Sequence, residues 1–206
     1  VPLTPAWAGV CPKGATLQIR DEDKVKVEAC VKKVNPCSKM GNIESASNLD
    51  SKGGCFIPHG ASLYKNPDGS ESTLNYKDGK LNGRSYSYSA KKVLLSEENF
   101  LNSLKDGKQK TFYEDGKKRS QEVYSAGLKV GEHLSWYPKG EIEKKVHYTD
   151  GHPSGTWTFW YPNGKKKSES AYGTLGWEGL YRDWYSSDRL HLVAQYVNGQ
   201  LEGTYT

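Results

Sequence analysis

The sequence predicts an all-β chain. It reads as an elongated antiparallel meander of stacked 24-residue β-hairpin repeats in a single twisted sheet, with a small cysteine-rich N-terminal module. Three observations predict this. Glycines recur at Gly83, Gly107, Gly131, Gly155, Gly179 and Gly203. An aromatic column recurs in the same frame at Tyr64, Tyr88, Phe112, Trp136, Trp160 and Trp184. A second runs through Tyr76, Phe100, Tyr124, Tyr148, Tyr172 and Tyr196. Three columns sharing one register identify a repeat array before any local reading is made.

The repeat resolves into two strands. From Gly131 the chain reads Gly-Glu-His-Leu-Ser-Trp-Tyr, then Pro138-Lys139-Gly140, then Glu-Ile-Glu-Lys-Lys-Val-His-Tyr, then Thr149-Asp150-Gly151. Two half-polar aromatic runs, each closed by a glycine-bearing turn, form a β-hairpin. Strand alternation puts Ile142, Lys144, Val146 and Tyr148 on one face and Glu141, Glu143, Lys145 and His147 on the other. No window carries the i, i+3, i+4 stripe of a helix. The turn column Gly79, Gly127, Gly151 and Gly199 holds Ser103 and Leu175 in its gaps, and the hairpin after Gly83 carries Ala90-Lys91-Lys92 at its first turn. One hairpin buries too little to fold alone, so stacking on neighbours, as in a solenoid, is required.

Composition agrees. Leu, Ile, Val and Phe total 37 of 206 residues, below what a conventional core needs, but 14 Tyr and 6 Trp make up the burial and exclude disorder. Net charge is +5, and no stretch approaches the 18 or so continuous apolar residues of a membrane span. The chain begins at Val1, as a mature or trimmed form would.

Residues 1–58 lie outside the frame and form the expected module, with an extended tail at its start. Residues 59–206 hold six repeats and a terminal strand. The module contains all four cysteines, Cys11, Cys30, Cys37 and Cys55. An even count in a short segment predicts disulfides and an oxidising compartment. Four cysteines allow three connectivities, and Cys11–Cys30 with Cys37–Cys55, which closes two short loops, is the expected one. A zinc site using His59 is the rival, disfavoured because no Cys-x-x-Cys pair is present.

No catalytic constellation is legible, and neither metal nor cofactor is expected. His133, His147, His152 and His191 stand in different turns and strands without a repeated carboxylate or serine partner. The run Gly164-Lys165-Lys166-Lys167-Ser168 lacks the upstream glycine of a phosphate loop. An enzyme is therefore not expected. Two surface features suit binding. Lys117, Lys118, Lys144, Lys145, Lys165, Lys166 and Lys167 are expected along one rim, where they either bind or protect sheet edges. The adjacent pairs Phe112-Tyr113, Trp136-Tyr137, Trp160-Tyr161 and Trp184-Tyr185 must send one ring to each face.

At these columns the chain resembles the MORN-variant repeat family of bacteria, many of whose members are labelled antitoxin. The resemblance covers roughly residues 59–206. Gly155-Thr-Trp-Thr-Phe-Trp-Tyr-Pro-Asn-Gly-Lys through Tyr172, and Gly107 through Tyr124-Ser-Ala-Gly, carry it best. It implies stacked hairpins whose aromatic columns line a packed groove, and protein or surface interaction rather than chemistry. The opening Cys11-Pro-Lys-Gly-Ala-Thr with Cys30 resembles a module preceding such repeats in some predatory and social bacteria, where the two cysteines pair. The expected function is a non-enzymatic protein–protein interaction or scaffold module of an exported bacterial protein, in the periplasm or at the cell surface. Its partner is expected to be a protein, acidic or membrane-associated. A glycan or cell wall is the alternative and anionic lipid on the lysine rim the second, while nucleic acid is not expected.

Overall fold

The computed structural model describes residues 11–22, 24–34 and 55–202. Among these, every regular element is a strand. No helix is long and apolar enough to cross a membrane. The chain divides into two compact units, residues 1–94 with 99–104, and residues 95–98 with 105–206.

The first unit contains β1 (Ala15–Glu22), β2 (Val25–Val34), β3 (Cys55–Lys65), β4 (Glu71–Lys77), β5 (Lys80–Leu81) and β6 (Gly83–Tyr88). Strands β1 and β2 form an antiparallel hairpin, and the positive φ of 71° at Lys24 makes its tight turn. β2 pairs with β3 and β3 with β4, so the cysteine-bearing hairpin continues directly into repeat strands. Val27, Ala29 and Val31 alternate onto the buried face of β2 and pack with Val25 and Tyr64. A disulfide joins Cys11 to Cys30, with Cα atoms 5.5 Å apart. The arm it holds lies so near β3 that a Cβ on Gly60 would approach Pro12 Cδ to 2.8 Å. The other expected pairing, Cys37–Cys55, lies outside the described residues.

Strand β7 (Leu94–Leu101) and β8 (Leu104–Lys105) contribute to both units. The second unit continues through β9 (Gly107–Phe112), β10 (Lys118–Ser125), β11 (Leu128–Lys129), β12 (Gly131–Trp136), β13 (Ile142–Thr149), β14 (His152–Trp160), β15 (Lys166–Gly173), β16 (Gly176–Trp184), β17 (Leu190–Val197) and β18 (Gln200–Glu202). The long strands pair antiparallel in sequence order, β9 with β10, β10 with β12, β12 with β13 and on to β17, while the short β11 pairs with the end of β10 and β18 with the end of β17. Where a solenoid was expected, the repeats add by edge-to-edge strand pairing into an antiparallel sheet that is not closed.

Two turn types alternate. Asp78-Gly79, Asn102-Ser103, Ala126-Gly127, Asp150-Gly151 and Asn198-Gly199 have φ > 0 at both central residues, the two-residue hairpin geometry that matches strand twist. At Thr174-Leu175 the left-handed residue is instead Gly176, at φ 124°. The other turn is wider. In the hairpin of β12 and β13, Tyr137 N–H donates to Glu141 O and Gly140 N–H to Tyr137 O, and the same pair recurs from Tyr113, Tyr161 and Tyr185. Its fourth residue is left-handed whether it is Gly116, Gly140, Gly164, Lys92 or Asp188. The Ala90-Lys91-Lys92 segment therefore makes the same turn as its glycine-bearing counterparts.

Behind each wide turn of the second unit the register slips by one residue. Such a bulge re-aims side chains. It puts Ile142 opposite Trp136 and Lys144 opposite Ser135, so the expected shared face of Ile142 and Lys144 is broken between them. β3 and β4 pair without a slip. There the turn begins at Asn66, Lys65 takes the place before it, and Tyr64 points the other way, its hydroxyl 3.4 Å from that of Tyr76. Tyr64 thus does not belong to the Trp136 column.

Candidate interaction surface

Register decides which aromatics meet in the second unit. The leading glycines Gly107, Gly131, Gly155 and Gly179 stand opposite Tyr124, Tyr148, Tyr172 and Tyr196. A Cβ on Gly107, Gly131 or Gly179 would touch nothing within 4 Å, but φ of 77°, 66° and 77° demands glycine there. Two residues further on, Gln109, His133, Trp157 and Tyr181 point to the same face as those tyrosines. The column is polar at one end and aromatic at the other, so it carried no periodic signal in the sequence.

Together these residues build a ladder of rings. Centroid distances are 5.8 Å from Tyr124 to His133, 4.8 Å from His133 to Tyr148 and 5.3 Å from Tyr148 to Trp157. They continue at 4.6 Å from Trp157 to Tyr172, 6.2 Å from Tyr172 to Trp177 and 4.7 Å from Trp177 to Tyr196. Trp177 also stacks on Tyr181 at 5.4 Å. Tilted and edge-on geometries dominate, as ring quadrupoles prefer. Every tyrosine and tryptophan ring in this row is half-buried, so each keeps an edge or face toward solvent. Lys105 and Lys129 lie over Tyr124 and Tyr148 at 5.6 and 5.2 Å.

One group in the ladder is fully buried. His133 is 2% exposed, with Nε2 2.9 Å from Val123 O and Nδ1 3.7 Å from Glu122 Oε1. Burial lowers its pKa, against the opposing pull of Glu122. Burial works to raise the Glu122 carboxyl, but Lys129, the Tyr124 hydroxyl and His133 outweigh it and hold it below the usual range. Burial and Glu122 push the Tyr124 phenol up to about 12.

The column Phe112, Trp136, Trp160 and Trp184 points to the opposite face by alternation. The tyrosines that follow it do not form a free ladder. Tyr113 donates its hydroxyl to Trp136 O at 2.6 Å, Tyr137 to Trp160 O at 2.8 Å and Tyr161 to Trp184 O at 2.9 Å. Each wide turn is thereby clamped to the next hairpin. The unbroken Tyr113, Tyr137, Tyr161 and Tyr185 column was the readable trace of this clamp, because phenylalanine would serve packing equally well. On the other sheet margin Gly127, Gly151 and Gly199 N–H groups donate to Lys105, Lys129 and Trp177 carbonyls at 2.8 Å.

The seven lysines fall into two sets. Lys117, Lys118, Lys165, Lys166 and Lys167 gather behind the wide turns, whereas Lys144 and Lys145 lie farther along β13 on opposite faces. Lys117 pairs with Asp115, Lys145 with Glu132, Lys165 with Asp188, and Lys166 with Glu169. Lys118 and Lys166 lie over Trp136 and Trp184, and Lys167 over Tyr161.

Three of these four histidines have serine or carboxylate neighbours, a different one each time: His133 with Glu122, His147 with Ser154, and His191 with Asp183. His147 Nδ1 and Ser154 Oγ are 2.9 Å apart beside a depression of about 360 Å³ that Glu132 and Gly155 help to line. Ser154 is shared with Thr149, and Glu132, opposite His147, is engaged by Lys145. Among the described residues no carboxylate bonds the His147 ring, so the pair does not assemble there as an acid–histidine–serine relay. No group of three or more His, Cys, Asp or Glu among the described residues could hold a metal ion.

No curated protein matches the chain. Three consecutive hairpin units, residues 105–126, 129–150 and 153–172, match the MORN repeat variant, and they are the units that carry the first half of the ring ladder.

Proposed function

We propose that this chain is a non-enzymatic interaction module of an exported bacterial protein, binding a protein partner on the ring face of its second unit. The observation that carries this is the aromatic row from Tyr124 to Tyr196, whose tyrosine and tryptophan rings are half-buried while His133 between them is buried. Rings that keep solvent-facing surface while packed in place lose little entropy on binding, and aromatic side chains dominate interface energetics. MORN repeats are in general protein- or lipid-binding modules, which supports the class. The Cys11–Cys30 bridge supports an extracytoplasmic location. Thiol titration under denaturing, non-reducing conditions tests that location, and four free thiols would overturn it.

Photo-crosslinking tests the surface. A crosslinker at Leu201, at the margin of the ring face, should capture a discrete envelope protein, and Trp177→Ala should remove the adduct. Adducts that survive Trp177→Ala would overturn the ring face as the binding surface. Binding to isolated murein without any protein adduct would replace the reading with a glycan-binding one.

A further inference from the structure

The wide-turn margin of the second unit seats its cations in a pattern that the ring face does not use. The bulge behind each wide turn adds one residue: Arg119, Glu143, Lys167 and His191. The extra residue folds back over the turn tyrosine. Arg119 lies 5.8 Å from the Tyr113 ring, Lys167 5.8 Å from Tyr161, and His191 4.4 Å from Tyr185. The residue before it in the first and third of these hairpins reaches the next repeat instead, Lys118 to Trp136 at 5.8 Å and Lys166 to Trp184 at 5.7 Å. Lys118, Arg119 and Lys167 form no ion pair with a described carboxylate. A cation held over a ring keeps its charge toward solvent in a fixed place.

The hairpin between these two seats has the opposite character. It carries Glu141, Ile142 and Glu143 where its neighbours carry Lys117-Lys118-Arg119 and Lys165-Lys166-Lys167. Glu143 is held by the Ser135 hydroxyl at 2.9 Å. From β10 to β15 there are four strand steps, which puts the cationic seats about 19 Å apart. The margin therefore reads positive, negative, positive across three hairpins.

We infer that this margin binds an acidic polypeptide segment carrying two carboxylate clusters about 19 Å apart, with Lys118-Arg119 and Lys166-Lys167 taking one cluster each. The inference rests on the reading of the chain as a protein-binding module and adds a second surface to it. Charge complementarity selects the partner: a uniformly acidic stretch would meet Glu141 and Glu143 in the middle, whereas two separated clusters avoid them.

The probe is a pair of labelled peptides, each with two Glu-Glu clusters, separated by one or by six Gly/Ser residues. The centres of the first peptide's clusters lie three residues apart, at most about 11 Å, and cannot sit on both seats, while those of the second can reach about 28 Å. Fluorescence anisotropy at low ionic strength should show the six-residue spacer binding at least about fivefold tighter, an advantage lost in Lys118→Gln/Arg119→Gln. Glu143→Lys, which fills the gap, should raise affinity for the one-residue spacer. Equal affinities in the parent, or no response to either variant, would overturn the proposal. Equal salt-sensitive binding to phosphatidylserine vesicles, with no dependence on spacer, would assign the margin to a lipid surface instead. Trp177→Ala should leave peptide binding unchanged, so failure of the ring-face reading and failure of this one are separable.

Discussion

The ring face of the second unit has two halves built on one backbone pattern. In the first, the interior positions are Gln109, Glu122, His133 and Val146, with Lys105 and Lys129 above the tyrosines. In the second, the equivalent positions are Trp157, Ser170, Tyr181 and Ala194, with Trp177 above Tyr196. The polar half relies on polar pairing: Lys105 pairs with Glu98 at 2.8 Å, Lys129 with Glu122 at 3.5 Å, and the buried His133 with Val123 O at 2.9 Å. The aromatic half needs no such pairing and gains from ring contacts instead. Glycines, turns and ladder bonds therefore define the fold, while the interior column is free to set local chemistry. Substitutions at matched positions test that division.

Trp157 and Gln109 occupy equivalent positions, and the largest expected effect separates them. Trp157→Ala removes contacts to Tyr148 and Tyr172 together with the indole bond to His147 O, and should cost about 3 kcal/mol or more. Gln109→Ala loses the long bonds to Asp106 O and Gly107 O, and should cost about 1 kcal/mol. Urea unfolding measures both. Equal losses would mean that the two halves pack alike.

Acid should act on the polar half first. Because the folded pKa of His133 lies below the ordinary value of 6.5, the unfolded chain binds the proton more readily. The stability this group confers is complete above pH 6.5 and is lost as pH falls from there through the folded pKa. Glu122, depressed from 4.5, adds its own loss only below that value. His133→Gln should flatten the decline between pH 6.5 and 4.5, followed by urea midpoints at three pH values. An unchanged slope would place the sensitivity elsewhere.

What the sequence disclosed follows the same division. Leading glycines and turn pairs were legible because positive φ restricts their identity at every repeat. The Cys11–Cys30 bridge was legible from short loop closure. The ring ladder was half-hidden, since Gln109, His133, Trp157 and Tyr181 share a position but not a chemistry. The bulge was hidden altogether, because Arg119, Glu143, Lys167 and His191 have nothing in common except the backbone step they occupy. Tyr64 matched the spacing and still fell on the other face, since its hairpin lacks that step. Lys92 and Asp188 show the reverse case, a left-handed turn kept without glycine.

The clamp from turn to turn predicts a smaller difference. Tyr137→Phe leaves Trp160 O without its donor and should cost about 1 kcal/mol. Tyr185 holds the same place in the last wide turn, is 41% exposed, and its ring is covered by Arg189 at 4.8 Å and by His191. Tyr185→Phe should therefore cost less than half as much. Thermal or urea unfolding of the two variants decides it, and equal costs would show that ring packing rather than the hydroxyl is what matters.

The smallest effect is expected where charge meets solvent. Lys166 pairs with Glu169 at 2.6 Å and lies over Trp184, yet its side chain is 46% exposed. Exposed ion pairs contribute little because water already solvates both charges and ordering a long side chain costs entropy. Glu169 also keeps Arg182 at 3.7 Å as a second partner, so removing the lysine does not strand the carboxylate. Lys166→Ala should then lower stability by less than about 0.5 kcal/mol, well below Trp157→Ala and below Tyr137→Phe. A loss near that of Tyr137→Phe would mean that the lysine stem packs on Trp184 as part of the fold, and would move the wide-turn cations from the binding surface into the structural framework.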